Sequence, residues 1–361
     1  MRLVAQGLDP TSRASGAARG AGAADGSASG PAPAAVVRHL VAMQGQDLPQ
    51  VLRAIAIRSA PGTTLADVRA AFDRGELVRS WAMRGTLFVA TPVDLAALHA
   101  STGERMRRQE WRMCTDRGID EATARLAARV LTDALADGPR ARAALLADWE
   151  AAGVATGGGR GYHLLALCAY DGLVRFGPFD GDAQLLVGGP PPAVPDTEAA
   201  LVDLLRRFVA ARGPIPADDA AWWTALPKTL VRAALASAAG LETLLVDGEP
   251  MLAAEDSARG RRSGVMLVPG FDEWILGYRD RSLVASPVML QAMVPGGNGV
   301  FKPVVLVDGR VVGTWRWPVA KGKPTATPVL ELVEPVAAAT LASIERALER
   351  WPHREARLPV G

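Results

Sequence analysis

Residues 48–90 read LPQVLRAIAIRSAPGTTLADVRAAFDRGELVRSWAMRGTLFVA. Pro49 suits the first turn of a helix, where no N–H is needed, and the apolar spacing carries that helix through Arg58. Thr64 is placed to cap a second helix, Leu65–Asp73, that stops before Gly75. Leu77–Met83 then reads as a strand, Arg84-Gly85 as a turn, and Thr86–Ala90 as a second strand. Upstream, Ala34–Met43 (AAVVRHLVAM) sets Val37, Leu40 and Val41 on one helical face. Leu48 precedes a proline and is pushed out of the α region, so this helix is expected to stop near Gln46.

Helices followed by two short strands around a glycine turn form the winged-helix pattern, and the pattern recurs. Glu121–Leu135, Ala141–Ala151 and Tyr162–Tyr170 read as helices, broken by Asp137-Gly138-Pro139 and Gly157-Gly158-Gly159. Leu173–Phe176 and Gln184–Val187 then flank a turn at Gly177–Gly181. After a proline linker, Gly189–Pro195, the helices Thr197–Ala211, Ile215–Leu226 and Thr229–Ala239 lead to strands Glu242–Val246 and Glu249–Leu252 around Asp247-Gly248. From Val265 onward strands dominate: Val265–Val268, Val304–Val307, Val311–Trp317 beyond an Asp308-Gly309 turn, and Val329–Val333. Pro335–Arg350 closes the chain as a helix. The expected fold class is α+β, three tandem winged-helix modules with a C-terminal β-rich segment. The expected divisions are an N-terminal segment 1–33 with a flexible Gly/Ala/Ser-rich insertion from Pro10, modules at 34–118, 119–195 and 196–262, and the segment 263–361.

The chain of 361 residues is long enough for such a series, and 49% hydrophobic with 22% charged residues excludes a wholly disordered protein. No apolar run reaches membrane-spanning length and no leader pattern opens the chain, so a cytoplasmic, metal-free protein without cofactor is expected. Two cysteines, Cys114 and Cys168, exclude a disulfide scaffold and read as buried small residues. Histidines 39, 99, 163 and 353 have no metal-ligand spacing. A net charge of +2 by itself argues for no polyanionic partner. Yet lysine occurs only at Lys228, Lys302, Lys321 and Lys323, so the basic charge is nearly all arginine, whose fork matches phosphate. A GC-rich genome produces the same enrichment. Two basic clusters, Arg105, Arg107, Arg108 and Arg112, and Arg259, Arg261 and Arg262, could track phosphates, although charge runs are commonly solvated surface.

Most enzyme motifs are missing: GxxxxGK[ST], GxSxG, HExxH and CxxC are all absent. What remains is Met43-Gln44-Gly45-Gln46-Asp47, at a place where a helix must end. In extended backbone, Gln44 and Gln46 would point to one side and present two amides to one point. Composition alone makes the same stretch a polar helix end.

This stretch, VVRHLVAMQGQDLPQ, resembles the Gln-x-Gln segment of the AlkZ/YcaQ-like bacterial DNA glycosylases. Ser80-Trp81-Ala82-Met83-Arg84-Gly85-Thr86-Leu87 is similar to that family too, as is Gly213-Pro214 leading to Ala221-Trp222-Trp223. So are Phe271-Asp272-Glu273 through Tyr278-Arg279-Asp280-Arg281, and Asn298-Gly299-Val300 through Val307-Asp308-Gly309 to Gly313-Thr314-Trp315-Arg316. The resemblance runs in order from about Val36 to the C-terminus, and the ordered set is more specific than any one motif. It implies tandem winged helices around a DNA-sized groove and hydrolysis of the bond between an N7-alkylated purine and deoxyribose, bulky or crosslinked adducts included. Glutamine at both ends of the motif places the chain in the AlkZ-like branch. Gly45 stands where an aliphatic residue is usual, and Phe88 where many relatives have histidine.

The resemblance makes Gln44 and Gln46 the catalytic residues of a monofunctional glycosylase acting as a monomer on double-stranded DNA. Arg84, Arg107, Arg108, Arg279, Arg281 and Arg316 are the expected DNA-binding residues. N7-alkylation makes the purine cationic, so it leaves as a neutral base and needs no strong acid. A glutamine carbonyl can accept a hydrogen bond from the attacking water and stabilise the oxocarbenium-like sugar. Gly45 would loosen this positioning, so Gly45→Ala is expected to be tolerated or slightly faster. Asp272 and Asp280 are competing carboxylates, with Asp280 expected to pair with Arg279 or Arg281 at a turn. Trp315 and Trp317, flanking Arg316, suit either core packing or a hairpin on DNA. The alternative reading is a non-catalytic winged-helix DNA-binding protein, a regulator or adduct binder, which Gly45 favours and the two glutamines oppose.

Overall fold

The computed structural model describes residues 1–8, 30–257, 264–320, 323–324 and 327–353. The Gly/Ala/Ser-rich insertion up to residue 29 and the cluster Arg259, Arg261 and Arg262 lie outside the described residues. Helix α1 (Arg2–Ala5) seats Leu3 and Leu8 in the C-terminal core. Helix α2 (Pro33–His39) is shorter than its apolar spacing implied. Val41 adopts φ 68°, which turns the chain out of the helix, and Ala42–Gln44 becomes strand β1. Leu40, Val41, Ala42 and Met43 are all buried, and a run buried on every side carries no periodicity to separate helix from strand.

Downstream the expected order holds. Helix α3 (Leu48–Ala56) is capped by Asp47, which accepts the Gln50 N–H at 3.1 Å. Helix α4 (Leu65–Asp73) starts from Thr64 in a capping box with Asp67. Strands β2 (Val78–Trp81) and β3 (Leu87–Ala90) are joined by a single helical turn, Met83–Gly85. Strand β1 pairs antiparallel with β3, setting Gln44 opposite Phe88. The 24-residue helix α5 (Pro92–Thr115) follows, an element the apolar pattern did not show. Its start was nevertheless written in Thr91, which caps it, and Pro92.

Helices α6 (Glu121–Ala136), α7 (Arg142–Ala151) and α8 (Arg160–Tyr170) precede strands β4 (Arg175–Asp180) and β5 (Ala183–Val187). Gly177 to Phe179, expected within the turn, belong to β4, where the register shifts between Phe176 and Phe179. Arg79 of β2 pairs with Phe176 of β4, so the two hairpins share one five-stranded sheet, ordered β1-β3-β2-β4-β5. Helices α9 (Thr197–Arg212), α10 (Ala217–Thr224) and α11 (Lys228–Ser237) lead to the hairpin β6 (Leu241–Val246) and β7 (Glu249–Ala254). Phe208 and Trp223 of this helical group pack with Ala42 and Phe88 in one core, so α9 and α10 cover the first sheet where Gln44 lies.

The C-terminal segment starts with β8 (Val265–Val268), then the short helices α12 (Glu273–Leu276) and α13 (Pro287–Met293), which the sequence pattern did not show. Strands β9 (Val304–Val307) and β10 (Arg310–Arg316) follow. The two-residue strands β11 (Val319–Ala320) and β12 (Lys323–Pro324) pair with each other. With β13 (Val329–Leu332), the larger sheet is ordered β13-β10-β9-β8, and α14 (Ala338–Glu349) packs beside β8. Trp315 is buried here, its Nε1 donating to the carbonyls of Val268 and Val304 and its ring 4.8 Å from Trp351. That settles Trp315 as core packing.

Candidate active site

Gln44 ends β1, and Asp47 caps α3, so the Gln-Gly-Gln tract is the short bridge between a sheet and a helix. Gln44 is buried and Gln46 is exposed. The Gln44 Oε1 accepts from the Thr86 hydroxyl, and the Gln46 Oε1 accepts from the Leu87 N–H, each at 3.4 Å. Consecutive residues at the start of β3 therefore hold both amides at one end of the sheet. An amide oxygen has two acceptor sites. Among the described residues no second donor reaches either oxygen.

Gly45 is held equally firmly. Its N–H donates to the Leu87 carbonyl at 2.8 Å, and its carbonyl takes the Arg79 Nε at 2.7 Å. Arg79 also donates to Gln184 at 3.2 Å and lies over the Phe176 ring. Burial pulls its pKa down to about 10, while Asp47 opposes that shift, so it stays cationic at neutral pH. A Cβ on Gly45 would lie 3.2 Å from the Phe88 carbonyl carbon and the Val89 nitrogen. The missing side chain thus lets Gly45 lie close against β3, which weighs against the expectation that alanine there is tolerated or slightly faster.

Beneath the tract lies a buried ionic network. Glu273 accepts the Gln44 N–H at 2.7 Å and pairs with Arg212 at 2.6 Å. Arg212 also donates to the carbonyls of Leu40 and Ala42. Asp272 forms a two-pronged pair with Arg58, 2.8 Å on each arm, and caps α12 through the Trp274 N–H. Gln6 links the two pairs, accepting from Arg58 and donating to the Tyr278 hydroxyl at 2.9 Å. Asp272 is 1% exposed, so it is a structural carboxylate walled off from any substrate. Asp280 does not pair with a neighbouring arginine; it accepts the Ser282 N–H, which lowers its pKa, and Arg279 sits 3.9 Å from Asp218 instead.

The expected DNA-binding arginines divide into groups. Arg84 and Arg281 approach the indole of Trp222, at 4.5 and 5.8 Å from its centroid. Arg84 also lies 5.5 Å from Phe88, the cross-strand partner of Gln44. Arg84, Arg105, Trp222 and Lys228 line an open groove of 610 Å³. Arg107 is bonded to Asp171 and lines a separate cavity of 340 Å³ with Trp111 and Cys168. Arg108 is 3.6 Å from Glu104 on the same helix. Arg279 is exposed near Asp218, and Arg316 is exposed at the end of β10. Of these, Arg84 and Arg281 share the Trp222 ring, and Arg84 also lies by Phe88 opposite Gln44.

The sequence profile of the AlkZ-like family, described as DNA glycosylase AlkZ-like, matches residues 37–353. The chain belongs to the AlkZ-like DNA glycosylase family. A curated relative of this glycosylase, the interstrand DNA cross-link repair glycosylase of Streptomyces sahachiroi, is 26% identical over 308 residues, 79% of this chain and 82% of that one. The solved structure of Streptomyces sahachiroi DNA glycosylase AlkZ superposes with a TM-score of 0.67 at 19% identity, covering 90% of this chain and 92% of that one. At that identity the match establishes the fold, a mixture of helix and sheet.

Sequence reasoning about this glycosylase missed Glu273, Arg212 and Arg79. Glu273 stood inside a quoted match and Arg79 directly before one, but nothing local marks a charged residue as buried beneath a strand end. Phe88 is fully buried against Trp223, at 6.1 Å between ring centroids, and so serves packing at its position. Both cysteines are buried, which raises the thiol pKa values to about 11 for Cys114 and about 12 for Cys168.

Proposed function

We propose that this glycosylase hydrolyses the bond joining an N7-alkylated purine to deoxyribose in duplex DNA, crosslinked adducts included, with Gln44 and Gln46 orienting the attacking water. The observation that carries this reading is the pair of amide oxygens anchored at Thr86 and Leu87, each with an acceptor site to spare. The alkylated base departs neutral, so the protein has to position water and stabilise a cationic sugar. Fixed carbonyl dipoles suit both tasks. The open groove lined by Arg84 and Trp222 suits an adduct too bulky to be flipped into a closed pocket. The function of the Streptomyces sahachiroi relative, interstrand DNA cross-link repair, supports the same substrate class.

The scaffold in this reading is three winged-helix units, the first two merged through the shared sheet, working as a cytoplasmic monomer. DNA runs past Arg84 and Arg281, with Arg279, Arg316, Arg107 and Arg108 contributing at its margins. Single-turnover release of base from a duplex carrying one N7-alkylguanine tests the proposal. Release by wild type with loss in Gln44→Ala and Gln46→Ala supports it; full rates in both variants would end the catalytic assignment.

A further inference from the structure

Arg84 is a half-buried cation with no carboxylate partner among the described residues. It occupies the turn between β2 and β3 at φ 60°, a left-handed conformation unusual for a side chain this large. Its guanidinium lies against Trp222 and Phe88, and its Nε is buried without a hydrogen-bond partner. Among the described residues no carboxylate comes within ion-pair distance of it. Burial lowers its pKa, and Arg281 and Arg212 lower it further, with only Glu273 opposing them. Glu273 is already taken by Arg212 and by the Gln44 N–H.

Arg281 repeats the situation. Its Nε donates to the Ile275 carbonyl at 2.7 Å, and its guanidinium approaches the same Trp222 indole as well as Phe301 at 5.3 Å. It forms no ion pair with a described carboxylate. The nearby Asp218 is shared by Lys228 and Arg232. Asp219 accepts the Arg279 N–H. Leaving two guanidiniums without a carboxylate at one indole is costly unless a ligand completes them.

We propose that Arg84 and Arg281, braced on Trp222, together clamp one backbone phosphate of the DNA next to the nucleotide being cleaved. This rests on the glycosylase reading above and deepens it. The guanidinium fork pairs with a phosphodiester, and an aromatic brace fixes the fork. Thr86, two residues after Arg84, holds Gln44, so the clamp and the water-orienting amide share one turn. The position also has an electrostatic purpose. Cleavage develops positive charge on the sugar, and two bare guanidiniums nearby would oppose it. A phosphate seated between them cancels one of the two positive charges and so weakens that opposition.

The test is a scan in which single linkages around one N7-methylguanine are replaced by neutral methylphosphonates. Wild type should lose about 10- to 100-fold at one linkage, the factor expected for a charge-assisted contact. In Arg84→Gln that linkage should become insensitive while the others behave as in wild type. Arg281→Gln should show the same insensitivity, which covers the case that Arg84→Gln folds poorly, and Arg84→Lys should recover part of the loss. If the linkage stays equally sensitive in both variants, or if no linkage stands out in wild type, the clamp is overturned.

Absence of base release from wild type would overturn the reaction assigned to the site, and the clamp would then be judged by duplex binding. The double variant should shallow the salt slope by about 0.9, the amount for one phosphate, and neither single variant by more than that, because the two arginines share one phosphate. Unchanged slopes, or a double variant that loses twice as much, would overturn it.

Discussion

The N–H of Gln44 donates to Glu273 at 2.7 Å while the second oxygen of Glu273 holds Arg212 at 2.6 Å, so a buried ion pair fixes the end of β1. Both charges are almost wholly out of water. Removing one partner of such a pair leaves the other buried alone, at a cost of about 3–5 kcal/mol. Glu273→Ala should therefore lower the melting temperature sharply, and base release by the folded fraction should fall as well. Thermal melting alongside single-turnover kinetics checks both outcomes.

Gln46→Ala should separate chemistry from folding. Its side chain is exposed, so melting temperature and duplex affinity should stay near wild type. Base release should slow by roughly 10- to 1,000-fold, equivalent to about 1.4–4 kcal/mol of transition-state stabilisation. Gln44→Ala should slow release similarly and also lose about 1 kcal/mol of stability with the Thr86 contact. No group that must titrate is assigned to the step, so the wild-type rate should be nearly flat from about pH 6.5 to 8.

Gly45→Ala should destabilise the protein and slow it. The new Cβ would meet backbone atoms of Phe88 and Val89 at 3.2 Å, and a paired strand yields little. Overpacking of this kind costs about 1–3 kcal/mol. A melting temperature and rate at wild-type level would show that the bridge between β1 and α3 is looser than these contacts indicate.

Most helices and hairpins, α5, α12 and α13 excepted, were legible because their boundaries are local: Thr64 with Asp67, the Asp308-Gly309 turn, and Pro49 at a helix start all act within a few residues. The glutamine tract was legible for the same reason, as a motif inside a short span. Strand β1 was not, because its apolar residues are buried on both faces and mimic a helix end. The shared sheet was not, because the pairing of Arg79 with Phe176 joins strands nearly a hundred residues apart in sequence. The ionic floor under Gln44 was the least legible part. Arg58 finds Asp272 and Arg212 finds Glu273 only once α3, α9 and α12 have converged.

Replacing Arg107 and Arg108 together should change duplex binding less than their place in a basic cluster suggests. Arg107 is already bonded to Asp171, and Arg108 is near Glu104. Each neutralised phosphate contributes about 0.9 to the salt slope. The double glutamine variant should shallow the slope by less than that amount. A larger change, measured by titration over a range of salt, would place the duplex along α5.

Asp219 gives a pH dependence of stability that can be isolated. The residue is 2% exposed, and burial raises its pKa from 3.8 to about 6, with the Arg279 N–H and Arg2 opposing the shift. The folded protein therefore holds this proton more tightly than the unfolded chain does. Between about pH 4 and pH 6 the native state binds more protons, so this residue's contribution to stability falls as pH rises. Above about pH 6 the full cost of the buried carboxylate is present, at most about 3 kcal/mol for a shift of this size. Asp219→Asn keeps an oxygen to accept the Arg279 N–H and carries no charge to bury. The variant should match wild type near pH 4 and exceed it in melting temperature near pH 7.5. Parallel melting curves at every pH would show that Asp219 ionises in the native state as easily as in the unfolded chain.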